Sequence, residues 1–138
     1  MEKFYIDGTQ EFIPKIELNP VSNHHEISGE SHHEYTWEFF EPIFKWLEEY
    51  LTTPGRTIVM DFRMSYFNTA SAKAFYEIIE SLVDYKKHRY GDITINWYYE
   101  EGDLDMLEIG EDYAEDSGAD INLIPYPKVH KEENDFEI

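Results

Sequence analysis

The chain has 138 residues, of which 41% are apolar and 17% aromatic, enough for one compact domain and too aromatic for wholesale disorder. Thirty acids against eleven bases give a formal charge of −19, which disfavours nucleic acid and anionic lipid as partners. Cysteine is absent, so disulfides, thiolate metal sites and thiol catalysis are excluded.

The opening residues MEKFYIDGTQ lack a signal-peptide core, and no apolar run approaches membrane length, so a cytoplasmic protein is expected. Phe4-Tyr5-Ile6 is a short β-like run closed by Asp7-Gly8. From Pro14 to Leu18 apolar and polar residues alternate, a strand signal, and the proline favours an edge position. Asn19-Pro20 and Ser22-Asn23 are turn chemistry, and residues 25–30 read as the return strand of an N-terminal β-hairpin.

Phe40, Ile43, Phe44, Trp46, Leu47, Tyr50 and Leu51 recur at helical steps and predict a first helix over 36–53, with Thr36 as N-cap. Pro42 either kinks this helix or stands in the first turn of a body that starts at Glu41. Residues 57–62 form a buried strand, and its continuous Ile58-Val59-Met60 suggests cover on both faces. A short loop, 63–67, then leads to the junction Asn68-Thr69-Ala70-Ser71 and a second helix reaching about Arg89. Ala74, Phe75, Ile78, Ile79, Leu82 and Val83 make its stripe, and Gly91 is the expected residue past its end. Residues 93–99 are β-branched and aromatic, a strand.

A third helix is expected over 103–116, with Leu104, Leu107, Tyr113 and Ala114 inward and Gly110 weakening it. A last strand, 121–124, is stopped by Pro125. The order implies a single α/β domain over 1–127, a mixed sheet with an N-terminal β-hairpin and three helices packed on it. A polar tail, 128–138, follows.

The strand-to-helix junction is the most informative spot. A helix start offers free backbone N–H groups and a positive dipole end. The ordinary role of a hydroxyl there is capping, by Asn68 or Thr69, worth ~1 kcal/mol. The other role is a phosphorylation switch, which would add about −1.5 to −2 charges to a docking surface. Thr69 is the first candidate acceptor, and Ser71 the second because it lies within the first turn. Tyr66 and Phe67 adjoin the junction as interface anchors or as core, and Asn68, Ala70 and Lys73 complete the expected partner-binding surface.

Three other features compete. Four of six histidines, His24, His25, His32 and His33, fall within ten residues beside Glu26, Glu30 and Glu34. On one extended strand the two pairs stand roughly 23 Å apart and cannot close one metal site. No metal or cofactor is therefore expected; a small metal-dependent enzyme is the reading from another class. Residues 100–120 carry ten acids and no base, either a solvated helix face or a docking face for a basic partner. Asp61 closes the core strand, and fixing the following loop is its simplest task.

The segment Phe40-Glu41-Pro42-Ile43-Phe44-Lys45-Trp46-Leu47-Glu48-Glu49-Tyr50-Leu51, the strand with Asp61, and the run Tyr66-Phe67-Asn68-Thr69-Ala70-Ser71-Ala72-Lys73-Ala74 resemble the SiaC family of regulatory phosphoproteins. Glu26-Ile27-Ser28-Gly29-Glu30-Ser31 and Trp97-Tyr98-Tyr99-Glu100 fit the same family, so the resemblance runs from Phe4 to Pro125. It implies a STAS-like fold, similar to the anti-sigma-factor antagonists. It also implies a non-enzymatic partner-switching role. A Ser/Thr protein kinase would phosphorylate the junction and a PP2C-like phosphatase would reverse it. The unphosphorylated form would bind and activate a diguanylate cyclase of GGDEF type, promoting cyclic di-GMP signalling and biofilm. The alternative target is an anti-sigma kinase. The threonine of the family's N-T-[SA]-S stretch falls on Thr69. Ala70 stands where a hydroxyl is also found, which leaves Thr69 first and Ser71 second.

Overall fold

The computed structural model describes residues 1–8, 13–32 and 36–128. Its elements run β1 (Phe4–Ile6), β2 (Lys15–Leu18), β3 (His24–Ser31), α1 (Thr36–Tyr50), β4 (Thr57–Phe67), α2 (Thr69–His88), β5 (Asp92–Glu100), α3 (Leu104–Ser117) and β6 (Ile121–Tyr126). The six strands form one sheet in sequence order. β1, β2 and β3 are antiparallel neighbours, and β3 to β6 are parallel. The mixed α/β architecture is the expected one and is compatible with a STAS-like label. The hairpin is in fact a three-strand meander. β2 is interior, with Pro14 just ahead of it, so the edge belongs to β1. The tail expected from Lys128 lies outside the described residues after that position.

Each parallel crossover steps one strand in the same direction, and such crossovers are right-handed, so all three helices fall on one face. Strand residues alternate accordingly. Ile16 and Leu18, Ile27, then Ile58, Met60, Phe62 and Met64, then Ile95 and Trp97 point to the helices and are buried. The helices answer with Phe40, Ile43, Leu47, Phe75, Ile78, Ile79, Leu82, Met106 and Tyr113. The other face carries polar side chains in register. On the row Glu26–Asp61–Asn96–Asn122, Asn122 Nδ2 donates to Asn96 Oδ1 (3.0 Å) and Asn96 Nδ2 donates to Asp61 Oδ1 (2.8 Å). His24 Nε2 lies 2.7 Å from Asp61 Oδ2. β4 is thus covered by helices on one face, not two. Asp61 is mid-strand and ties two neighbours together, His24 on β3 and Asn96 on β5, rather than fixing a loop.

Several boundaries differ from expectation for physical reasons. Residues 63–67 are strand, not loop: β4 continues beside β3 to the pair Ser31–Phe67, across a bulge between Gly29 and Glu30. Gly29 takes φ +100° there, a conformation that a side chain disfavours. α1 begins at Thr36 and runs through Pro42 in its second turn, losing one helical hydrogen bond. α2 ends with Tyr90, not Gly91, at positive φ (58°). Gly91 is needed instead because an added Cβ would meet the Tyr85 ring at 2.0 Å. Gly110 likewise admits the Trp97 indole, whose Cδ1 would lie 2.5 Å from a Cβ. Leu104 opens α3 facing solvent, 70% exposed, while Met106 takes the inward position. Pro125 does not stop β6; it lies within an edge strand, where its missing N–H costs no ladder bond.

The N-terminal end of the parallel strands is closed by polar groups, with His25, Tyr50 and Tyr85 buried and Asn23 and Arg56 half-buried. His25 is fully buried; its Nδ1 accepts from the Asn19 N–H (3.0 Å), so its Nε2 carries the proton towards the Tyr50 hydroxyl (2.9 Å). Tyr50 donates onward to Asn23 Oδ1 (2.6 Å), which also receives Arg56 Nη1 (3.0 Å). The Arg56 guanidinium stacks 4.1 Å above the Tyr50 ring. The Tyr85 hydroxyl accepts from the Arg56 N–H (2.8 Å) and donates to the Thr53 carbonyl (2.6 Å). Burial first, then the charges of His24 and Arg56, push His25 down from 6.5 to about 4. Burial likewise pushes the Tyr50 phenol up to about 12.

Candidate functional site

At the opposite end, β4 hands over to α2. Asn68 is the N-cap: its backbone is extended (ψ 174°), and its side-chain oxygen accepts the Ser71 N–H at 2.8 Å. Its own N–H reaches back to the Ser31 carbonyl at 2.9 Å, which fixes the strand end before the helix starts. Thr69 is therefore the first helical residue, and its side chain is exposed. The N–H groups of Thr69 and Ala70 belong to the first turn, which has no intrahelical acceptors.

The two candidate hydroxyls have different surroundings. Ser71 is fully buried, and its Oγ is paired with Ser31 Oγ (2.7 Å) and the Ser31 carbonyl (3.3 Å). It ties the end of β3 to the start of α2. Ala70 and Lys73 are exposed, as Thr69 is. Tyr66 is 51% exposed and rests edge-on against His32, with ring centroids 5.1 Å apart. Phe67 is half-buried, against Phe75 (5.0 Å) and Trp97 (5.9 Å). It belongs to the core at least as much as to the surface.

Beneath the junction lies a cluster of rings. Phe75 meets Phe40 and Phe62, each at 5.6 Å, and Trp97 meets Phe62 at 5.4 Å and Tyr113 at 5.3 Å. The Trp97 indole N–H donates to the Met106 carbonyl (2.9 Å), and the Tyr113 hydroxyl donates to the Ala72 carbonyl (2.7 Å). Burial pushes the Tyr113 phenol well above its ordinary range, so it stays a donor. α3 is thereby clamped to the first turns of α2. Between the two helices a shallow groove opens directly beside Thr69, with Phe67 at one end and Tyr76 and Ile109 on its floor.

The histidines do not converge. His24 and His25 are adjacent on β3 and so face opposite sides of the sheet; His32 follows the strand's far end, and His33 with Glu34 lies outside the described residues. Among the described residues no three His, Asp or Glu side chains form a group that could hold a metal ion. The acidic face of α3 is real: Asp105, Glu108, Glu111, Asp112, Glu115 and Asp116 are all exposed. The α3 half of the groove, Ile109, Asp112, Tyr113 and Asp116, escaped the sequence reading because only the fold brings it beside Thr69. No described helix is long and apolar enough to cross a membrane.

The chain is similar to known proteins in sequence and in fold. An uncharacterized protein of Pseudomonas aeruginosa (strain UCBPP-PA14) is 29% identical over 117 residues, covering 84% of this chain and 90% of that protein. The crystal structure of apo-SiaC from Pseudomonas aeruginosa matches with a TM-score of 0.79 at 26% identity, covering 90% of this chain and 99% of SiaC. SiaC in the crystal structure of the diguanylate cyclase SiaD with its activator SiaC, from the same organism, matches with a TM-score of 0.81 at 26% identity. That match covers 89% of this chain and 99% of the other. The family model for the SiaC family regulatory phosphoproteins matches residues 6–126. A six-stranded sheet with helices on one face, a capped and exposed threonine at its strand-to-helix junction, and a family match along nearly the whole length lead to one conclusion: this chain belongs to the SiaC family of regulatory phosphoproteins.

Proposed function

We propose that this protein acts by binding, as a phosphorylation-gated activator of a diguanylate cyclase of GGDEF type in the cytoplasm, and that Thr69 is the gate. The observation that carries the reading is the close structural likeness to SiaC, which is the activator of the diguanylate cyclase SiaD in their solved complex. The geometry supports Thr69 over Ser71: the threonine is exposed at a helix start, whereas the serine is sealed and doubly hydrogen-bonded. A phosphate at Thr69 would gain about 0.3–1 kcal/mol from the helix N-terminus. Its larger effect would fall on whatever docks there, through new charge and bulk. A Ser/Thr protein kinase would write the mark and a PP2C-like phosphatase would erase it. Tyr66, Asn68, Ala70 and Lys73 surround the acceptor and would form the contact surface, with Phe67 supporting it from below.

The test has two readings. The chain is added to the diguanylate cyclase from the same organism and cyclic di-GMP production is measured. Stimulation by the wild-type chain and by Thr69→Ala, with loss of stimulation for Thr69→Glu, is the expected pattern. Equal stimulation by all three, or a phosphate mapped by mass spectrometry only to other residues, rules out Thr69 as the gate.

A further inference from the structure

Charge is spread unevenly over this chain. It carries thirty acids and eleven bases, yet Lys86, Lys87 and His88 crowd the last turn of α2, and Arg89 follows them. Beside that turn, between α2, the start of β5 and the loop into β6, lies a cavity of about 370 Å³. Val83, Ile93, Ile95 and Ala119 give it an apolar wall, and the exposed Lys86 and Lys87 stand at its mouth. Val83, Ile93 and Ala119 are half-buried, so part of that wall is open to solvent. Among the described residues Asp120 is the only acid that lines the cavity, and no acid pairs with either lysine. An apolar hollow with two free cations at its mouth suits an acidic segment that carries an apolar side chain.

The chain itself holds such a segment. Residues 129–138 follow the described part and read VHKEENDFEI. Glu132, Glu133, Asp135 and Glu137 surround Phe136, and Lys131 is the only Lys or Arg among them. The reach is sufficient. β6 starts at Ile121, next to the cavity lip at Asp120, and leads away from it towards Lys128, a path of at most about 24 Å. An extended return from Lys128 to Phe136 covers up to about 28 Å. Among the described strands β6 has no neighbour on its outer side, so an open edge lies along that return. The wider groove between α1 and α2 is a poor match, because Glu41, Glu48, Glu77 and Asp84 line it and would repel the segment.

We infer that residues 129–138 turn back along β6 and seat Phe136 in this cavity, with Glu133 and Asp135 facing Lys86 and Lys87. Segment and cavity belong to one chain, so tethering lets a weak contact suffice. The docked segment neutralises the cationic turn and covers the open apolar wall. The inference goes beyond the proposed function and does not depend on Thr69.

The chain has no cysteine, so one introduced thiol can carry a nitroxide at a chosen site. Asn134→Cys is labelled in the full chain, and paramagnetic broadening of backbone amides is read by NMR. The amides of Lys86, Lys87, Gly118 and Ala119 should broaden strongly, while those of Glu48 and Thr52 beside the α1–α2 groove should not. Broadening that is absent from the first set, or equal in both, overturns the inference. Phe136→Ser, and Lys86→Glu with Lys87→Glu, should each reduce the effect at Gly118 and Ala119 by about threefold or more. Adding Glu133→Lys and Asp135→Lys to the second pair should restore it, which a damaged fold would not allow. An undiminished effect in either variant overturns the seat. Lastly, nitroxide-labelled chain is mixed with isotope-labelled chain that carries no nitroxide. Sharp cavity signals in that mixture support the return within one chain. Broadening as strong as in the single chain assigns the cavity to a second copy's segment and overturns it.

Discussion

The two ends of the parallel strands are built on opposite plans. At their N-terminal ends, polar groups are joined: buried His25 and Tyr50 and half-buried Asn23 and Arg56 form one hydrogen-bonded chain, and Tyr85 closes the connection into β4. At their C-terminal ends, the support is a buried cluster of rings, and the exposed side chain of Thr69 stands outside it. Buried polar chains are costly to break and specify one arrangement. An exposed first-turn residue can gain or lose a group with little effect on the fold. The difference teaches a division of labour: one end holds the domain in a single form, and the other is free to be modified without unfolding it.

The largest break in that contrast should come from His25→Ala. It removes a buried ring and leaves the Tyr50 hydroxyl and the Asn19 N–H without partners, so denaturant unfolding should show a loss of about 3 kcal/mol. A loss below about 1 kcal/mol would mean that the polar end is not what holds the domain.

Acid should act through the same residue. Burial holds His25 neutral down to about pH 4, while the unfolded chain protonates it near 6.5. Below 6.5 the unfolded state therefore binds the extra proton. The stability is complete above that pH and drains away as pH falls towards 4. Between pH 7 and 5 the loss assigned to His25 is about 2 kcal/mol, read as the difference between wild type and His25→Gln in urea titrations at both pH values. Parallel pH profiles for the two proteins would remove His25 from the account.

At the other end the effects shrink. Ser71→Ala should cost about 1 kcal/mol, since it leaves Ser31 Oγ without its 2.7 Å partner. Thr69→Ala should stay within about 0.5 kcal/mol of wild type in the same assay, because alanine suits a first helical turn and the side chain is exposed. A large loss at Thr69 would erase the contrast between the ends.

Much of this was legible in the residues. Period-two and helical patterns gave the alternation of helices and strands after the N-terminal β-segments in its right order, and Asn68-Thr69-Ala70-Ser71 marked the junction through local capping chemistry. Where the reading failed, a longer-range fact decided. Residues 63–67 look like a loop until Met64 is seen to continue the inward series Met60 and Phe62, which β3 then pairs. Pro125 reads as a stop unless β6 is known to be an edge. Gly110 reads as a weakness unless the Trp97 ring is known to lie on it. The histidine cluster drew attention as a possible metal site, but adjacent strand residues face opposite ways. One of the pair became a core residue and the other a partner of Asp61. The α2 half of the groove could be inferred locally, whereas Asp112 and Asp116 lie more than thirty residues further on, and only tertiary packing makes them neighbours of Lys73.

The sequential strand order has a consequence for how the molecule comes into being. Every strand lies beside the one synthesised just before it, so a nascent chain can extend the sheet by one edge at a time as it leaves the ribosome. No insertion between strands already paired is required, and each closing loop is only as long as a single crossover. The junction with Thr69 is completed when β4 has joined β3 and α2 has formed, but its aromatic underside waits for Trp97 and Tyr113. The support beneath the junction is therefore finished late, after the anchored end is already in place.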